Sequence, residues 1–345
     1  GVLTSVHAFA ADPSRGLFIL VFLGIVIGGS LLLYVLRSPR LGGGAPFTGA
    51  SRETLLLFNN VLLTSAAGMV LLGTLYPLLA DALDLGKISV GPPYFGLLFV
   101  LLMAPLVLLL PFGPLTKWQR DEPSRVLRLL GPWAVLAAVL GVIAYFMAPQ
   151  GQLKTAAGIA AAAWVALGTL RFVWTRFQVK GKRFTPEMLG MVLAHGGVAM
   201  FLVGALLVEA LNVQHEVAMK PGQTIQVGRY AFRFEGVDSL RGPNYTAERG
   251  HIQVFRDDKP LVLLHPEKRA YASGGMVMTE AAIRPSLLGD VFVAVGEDLG
   301  NDAHAVRVHL KPFIRWVWLG AALMALGGFV TATDRRFRRK TEEPR

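Results

Sequence analysis

Long apolar runs, broken by short connections rich in Arg and Lys, fill the first 211 residues and return once near the end. A helix needs about 20 mainly apolar residues to cross the hydrocarbon core of a bilayer. Seven stretches meet that requirement, at residues 16–36, 54–80, 94–110, 127–148, 153–173, 188–211 and 313–331. Pro77 and Pro105 fall inside apolar runs. Neighbouring helices can re-satisfy the carbonyls they release, so each is expected to kink its span rather than end it. Pro132 is placed near the start of the fourth span, where a missing N–H costs less.

The pattern changes between residues 212 and 312. Tyr230, Phe232 and Phe234 alternate with Ala231, Arg233 and Glu235, and Val306, Val308 and Leu310 alternate with charged or small residues. That two-residue period is the mark of a strand with one buried face. Turn-forming groups such as Lys220-Pro221-Gly222-Gln223 and Asp257-Asp258-Lys259-Pro260 punctuate these runs. The expected fold is therefore a polytopic α-helical membrane protein with about seven transmembrane helices and a small β-rich extracytoplasmic domain. Its organisation reads as spans with a leading segment at 1–211, the β-rich domain at 212–312, a last span at 313–331 and a basic tail at 332–345. No internal repeat is visible.

Composition agrees with this solvent. The 345 residues are 53% hydrophobic and 17% charged, with a mean hydropathy of +0.50, too oily for a water-soluble chain of this size. A formal charge of +11 suggests nucleic acid only if the cations share one soluble face, and here they are scattered through short loops. They choose the orientation instead, because short positive loops stay in the cytoplasm. Arg37, Arg40 and Arg52, then Lys117, Arg120, Arg125 and Arg128, then Arg171, Arg176, Lys180, Lys182 and Arg183, then the tail from Arg335 to Arg345 define one side. The alternate short segments hold Arg15, Lys87 and Lys154. This bias places the first residues and the β-rich domain outside, across the membrane from the cytoplasm. Trp174, Trp316 and Trp318 fall at span ends, where an interfacial aromatic belt belongs. The chain has no cysteine, so any thiol chemistry must come from a partner. It starts at Gly1 without methionine or signal peptide, which leads to the expectation of further sequence upstream.

Among titratable groups, His195 stands out because it lies within the sixth span, where an ionisable side chain is costly and a functional candidate by default. Ala194, Gly196, Gly197 and Ala199 surround it. Such small residues either leave room for a flat macrocycle whose iron takes an axial imidazole, or let two helices pack closely while the histidine only bridges them. Residue types alone leave both readings open. His7 precedes the first span, on the outer side by the charge pattern, and Arg15 follows at the membrane boundary, able to pair with a propionate or simply to snorkel. His304 and His309 are separated by an odd interval and so face opposite sides of a strand. His215, His251 and His265 show no ligand spacing and read as surface residues. Asn59 and Asn60 are expected to bond between helices, and Glu209 to lie at the interface. No phosphate loop, HExxH helix or serine elbow is present, which removes support for ATPases and hydrolases.

Several motifs carry a resemblance. The segment Gly-Val-Leu-Thr-Ser-Val-His-Ala-Phe-Ala, ending at Ala10, is followed by Asp12-Pro13 and Arg15-Gly16. Further along come Ser51-Arg52-Glu53 with Asn59-Asn60, Thr74-Leu75-Tyr76-Pro77, and Lys87 through Phe95. Then come Ala194-His195-Gly196-Gly197, Gly242-Pro243-Asn244-Tyr245, Pro266-Glu267-Lys268-Arg269, Met278-Thr279-Glu280-Ala281 and Arg315 through Gly320. In this order they resemble the carboxy-terminal half of CcmF-type cytochrome c haem lyases, over almost the whole chain. The resemblance implies that His7 is an axial ligand of the haem b awaiting transfer and that His195 is a ligand of a permanently bound haem b in the membrane. It also implies receipt of haem from the chaperone CcmE and, with CcmH, attachment to the CxxCH cysteines of apocytochrome c after reduction through the resident haem. The absent cysteines fit that scheme, since the thiols are the substrate's. The family's tryptophan-rich motif and the remaining ligands lie upstream of the matching region. A complementary amino-terminal half is therefore expected, and the chain alone is expected to be inactive. A membrane b-type cytochrome serving quinol, a solute transporter and a nitrite-reductase-dedicated relative are the rival readings. The first leaves His7 and the outer domain without a role, and the second lacks the internally repeated halves common in transporters.

Overall fold

The computed structural model describes residues 13–40, 46–83, 85–86, 90–178, 184–272 and 277–334. Two compact units are formed by residues 1–132 and 133–345. Among the described residues, seven helices are long and apolar enough to cross a membrane.

In the first unit, α1 (Pro13–Arg37), α2 (Arg52–Ala82) and α3 (Pro92–Leu109) are followed by a single helical turn, α4 (Phe112–Leu115). Helices α2 and α3 run on through Pro77 and Pro105, as expected where the chain supplies no alternative to the helix in hydrocarbon. Gly73 admits the rings of Tyr94 and Phe95, and Tyr94 donates its hydroxyl hydrogen to the Met69 carbonyl at 3.2 Å. A polar latch closes one end of this unit. Arg52 donates to the carbonyls of Thr116 and Pro114 at 3.0 and 2.8 Å and lies over the Trp118 ring, while Glu53 accepts from the Gln119 amide at 2.9 Å. Asp121 is ion-paired with Arg125, whose hydrogen bond holds the carboxyl well below the usual carboxylate range.

Helix α5 (Pro123–Met147) begins four residues before the span read from hydropathy. Pro123, with its preset φ, is the true first-turn proline. Pro132 lies well inside the helix, which corrects the expectation that it sits near the start; the polar first turn hid the boundary from a hydropathy reading.

Among the described residues, the second unit contains the rest of α5, then α6 (Gln152–Phe177), α7 (Pro186–Leu211), ten strands and α8 (Ile314–Ala332). Thr185 caps α7 by accepting the Met188 amide. Glycines set the helix spacing. Gly158 lies against Leu206, and Gly151, in the left-handed region at φ +59°, abuts the Ala210 carbonyl. Gly190, Gly197 and Gly204, seven residues apart, meet Gly327, Gly320 and Val317 of α8 backbone to backbone. Small residues at such spacing allow the close approach that drives helix association in lipid. Outward faces remain apolar and exposed, Val135, Leu170 and Phe329 among them, as a lipid-facing surface requires.

The strands build a β-sandwich between α7 and α8. One sheet has the order β1-β10-β9-β8, with β1 (Val213–Met219), β8 (Ala282–Arg284), β9 (Gly289–Asp298) and β10 (His304–Pro312). The other has the order β2-β3-β4-β6-β7, with β2 (Thr224–Val227), β3 (Tyr230–Arg241), β4 (Tyr245–Arg256), β6 (Glu267–Tyr271) and β7 (Met278–Glu280). Strand β5 (Lys259–Leu264) also pairs with β4. All pairings are antiparallel. The alternation read from the sequence is the packing pattern. Phe232, Phe234, Ile252 and Val254 of one sheet face Val291, Val293, Val295, Val306 and Val308 of the other, all essentially excluded from solvent.

Candidate functional site

His195 is half-buried on α7, in the middle of a membrane-spanning helix. Its Nδ1 lies 2.9 Å from the Met191 carbonyl. A carbonyl oxygen can only accept, so Nδ1 carries the proton and, in the neutral imidazole, Nε2 carries the lone pair. That is the tautomer and orientation a metal-ligating histidine needs, fixed by a backbone hydrogen bond on the other nitrogen. Eleven residues separate His195 from Leu206, three helical turns, so His195 shares the face that meets α6 rather than the Gly190-Gly197-Gly204 face that meets α8.

The small residues around it divide between two uses. A Cβ on Gly197 would lie 2.7 Å from the Gly320 carbonyl oxygen, and a Cβ on Gly327 would lie 2.7 Å from the Ala194 amide nitrogen. Gly197 and Ala194 therefore serve helix packing, the second of the two readings that the residue types left open. A Cβ on Gly196 would meet nothing within 4 Å. His7 lies outside the described residues, and Arg15 falls in α1 at a position whose side chain is not described. Among the described residues no group of three or more His, Cys, Asp or Glu side chains could hold a metal ion.

The other candidates resolve by local geometry. Asn59 donates to Asn60 at 3.3 Å rather than to another helix. Glu209 pairs with Lys154 at 2.6 Å at the exposed ends of α7 and α6. His304 packs its ring against Phe234, and His309 packs on Phe292. Burial, then Lys311 and Arg307, push His309 below its ordinary range. His215 is exposed on β1.

Two arrangements escaped the sequence reading. The β4–β5 register pairs Ile252 with Leu264, which sets His251 opposite His265 with ring centroids 4.8 Å apart. His251 also contacts Asp238 at 2.7 Å, holding that carboxyl below its usual range. In the Pro-Glu-Lys-Arg motif, Glu267 is only 6% exposed and takes Arg249 and Arg269 at 2.8 and 2.7 Å. Burial opposes its charge, yet the two guanidinium groups keep the carboxyl below its ordinary range. Arg269 further lies over the Tyr245 ring. The only hint in sequence was the recurrence of charge at Arg249, Glu267 and Arg269; their meeting depends on β4–β6 register.

The fold and its candidate site define a multi-pass membrane protein with a β-sandwich inserted before the last span and a half-buried histidine within a span. Residues 210–312 match the family described as the CcmF C-terminal beta-sandwich. The chain is 47% identical over 348 residues to the cytochrome c-type biogenesis protein CcmF of Pseudomonas aeruginosa, covering 99% of this chain and 53% of that protein. It is 42% identical over 341 residues to the Escherichia coli protein of the same name, covering 99% and 53%. Identity to the cytochrome c-type biogenesis protein NrfE of Haemophilus influenzae is 32% over 348 residues, covering 99% and 54%. A solved structure named Cytochrome c Heme Lyase CcmF shares the fold with a TM-score of 0.68 at 21% identity, over 83% of this chain and 46% of that one. The chain spans about half the length of the curated relatives it matches. Over almost its whole length the chain is similar to CcmF-type proteins and corresponds to their carboxy-terminal half.

Proposed function

We propose that this chain acts in cytochrome c biogenesis as part of a haem lyase of the bacterial inner membrane, with its β-sandwich in the periplasm. The observation that supports the haem reading is the His195 Nδ1 bond to the Met191 carbonyl, which orients the imidazole within a membrane span and sets the tautomer that a metal-ligating histidine uses. A resident haem b held there would supply a redox-active iron able to reduce incoming haem. His195 orients through its backbone bond, and the surrounding lipid and helices exclude water, which would tune the iron's potential.

His7, ahead of the first span, is assigned to the haem b in transit, with Arg15 toward a propionate. The second axial ligand of each haem is assigned to polypeptide equivalent to the remaining half of the relatives. CcmE is the proposed haem donor, and CcmH with apocytochrome c the proposed partners in thioether formation at CxxCH. The chain contributes position rather than acid or base work, presenting the vinyl groups to thiols in fixed geometry. The higher identity to CcmF proteins than to NrfE favours a general lyase over one dedicated to nitrite reductase.

The test compares holocytochrome c output and bound haem in the complete protein with His7→Ala and His195→Ala. Loss of maturation in both, with loss of the resident b-haem spectrum only in His195→Ala, is expected. Unchanged output from both refutes the assignment. Retained output with loss of b-haem would remove the reductive step while leaving the lyase role.

A further inference from the structure

The loop between β8 and β9 carries Leu287 and Leu288 with 68% and 69% of their surface exposed. A soluble turn would not hold two adjacent leucines outward, and this one is held firmly. The Asp290 carboxylate accepts from the Ser286 amide at 3.0 Å and from Arg315 at 2.9 Å. Trp316 donates its indole N–H to the Leu287 carbonyl at 2.9 Å, and the Phe313 amide donates to the Leu288 carbonyl at 3.1 Å. Gly289, at φ +153°, lets the loop press on Pro312, whose Cα would be 2.8 Å from any added Cβ.

These bonds tie the loop to the first turn of α8. That helix has 19 residues, a length of about 28 Å at 1.5 Å per residue, close to the thickness of the hydrocarbon core. It therefore has no slack: its first turn must sit at the membrane boundary, where Trp316 and the 73%-exposed Trp318 also belong. The loop bonded to Trp316 lies at that same height with its leucines pointing away from the protein. We infer that Leu287 and Leu288 form a lipid-inserting prong, entering the headgroup and acyl boundary of the leaflet beneath the β-sandwich. Continuity with the span selects lipid as the occupant. The prong adds a third attachment to the two chain connections and so fixes the height and tilt of the sandwich over the bilayer. This inference rests on the membrane fold and not on the haem assignment.

This chain has no cysteine of its own, so once any thiol elsewhere in the complete protein is replaced by serine, a single introduced cysteine is the one labelling site. Leu287→Cys, Leu288→Cys and Glu297→Cys, the last exposed at the far end of β9, are spin-labelled singly in the complete protein in lipid nanodiscs. Collisions with oxygen, which partitions into lipid, are compared with collisions with a water-soluble nickel chelate. Oxygen should dominate at 287 and 288, and the nickel chelate at 297. Dominance of the nickel chelate at 287 and 288 would place the leucines in water and overturn the inference. Low collision rates with both reagents would mean that another polypeptide covers them, which overturns it equally. All three side chains are exposed, so the substitutions remove no core packing, and the two loop positions check each other.

Discussion

Separate replacement of Gly196 and Gly197 by alanine tests how α7 meets α8, with each variant as the other's control. Both substitutions gain the same intrinsic helix propensity, about 0.8–1 kcal/mol, so propensity cancels in the comparison. At Gly196 the new methyl group meets nothing within 4 Å. At Gly197 it would lie 2.7 Å from the Gly320 oxygen, 2.8 Å from the Met324 nitrogen and 2.9 Å from the Met324 Cγ. The first two are backbone atoms and cannot rotate aside. Reaching an ordinary 3.4 Å contact requires α7 and α8 to part by roughly 0.7 Å, which opens the seam at Gly190 and Gly204 as well. Overpacking of this kind costs about 1–3 kcal/mol, and the lost small-residue contact has no hydrophobic substitute in lipid. The two variants should therefore differ by about 1–3 kcal/mol, with Gly197→Ala the weaker. Reversible unfolding in mixed detergent micelles, followed by circular dichroism, measures the difference. Equal stabilities would refute the packing argument, because the two sites differ only in what their Cβ atoms meet.

Truncating Phe232, wholly excluded from solvent in the sandwich core, should destabilise that domain by about 3–5 kcal/mol, read from denaturant unfolding of the complete protein. Replacing Glu267 by Gln leaves two guanidinium groups without their shared anion and should cost about 2–4 kcal/mol, less than for a fully buried pair because both arginines remain partly exposed. The pH dependence follows from the lowered carboxyl of Glu267. Its contribution is fully present above the unfolded-state value, about 4.3 for Glu, and is lost as pH falls through the lower folded-state value. Parent and Glu267→Gln should therefore converge in stability on acidification; a constant gap from neutral to strongly acidic pH would count against the ion-pair account.

All seven spans were readable from the sequence, because hydrocarbon accepts only backbone that satisfies its own hydrogen bonds, and a long apolar run has no other solution. The alternation around Phe232, Phe234, Val306 and Val308 was readable for a similar reason: burial with period two is a local property of the chain. The start of α5 was missed because its first turn is polar, although Pro123 was available as a signal. Only the tertiary structure decided which of Ala194, Gly196 and Gly197 faces a neighbouring helix, since small residues look alike whether they make space or close it. Likewise His251 meets His265, and Glu267 gathers Arg249 and Arg269, through strand register. Register is set by turns and by the packing of distant strands, and a one-residue slip would send each of those side chains to the opposite face.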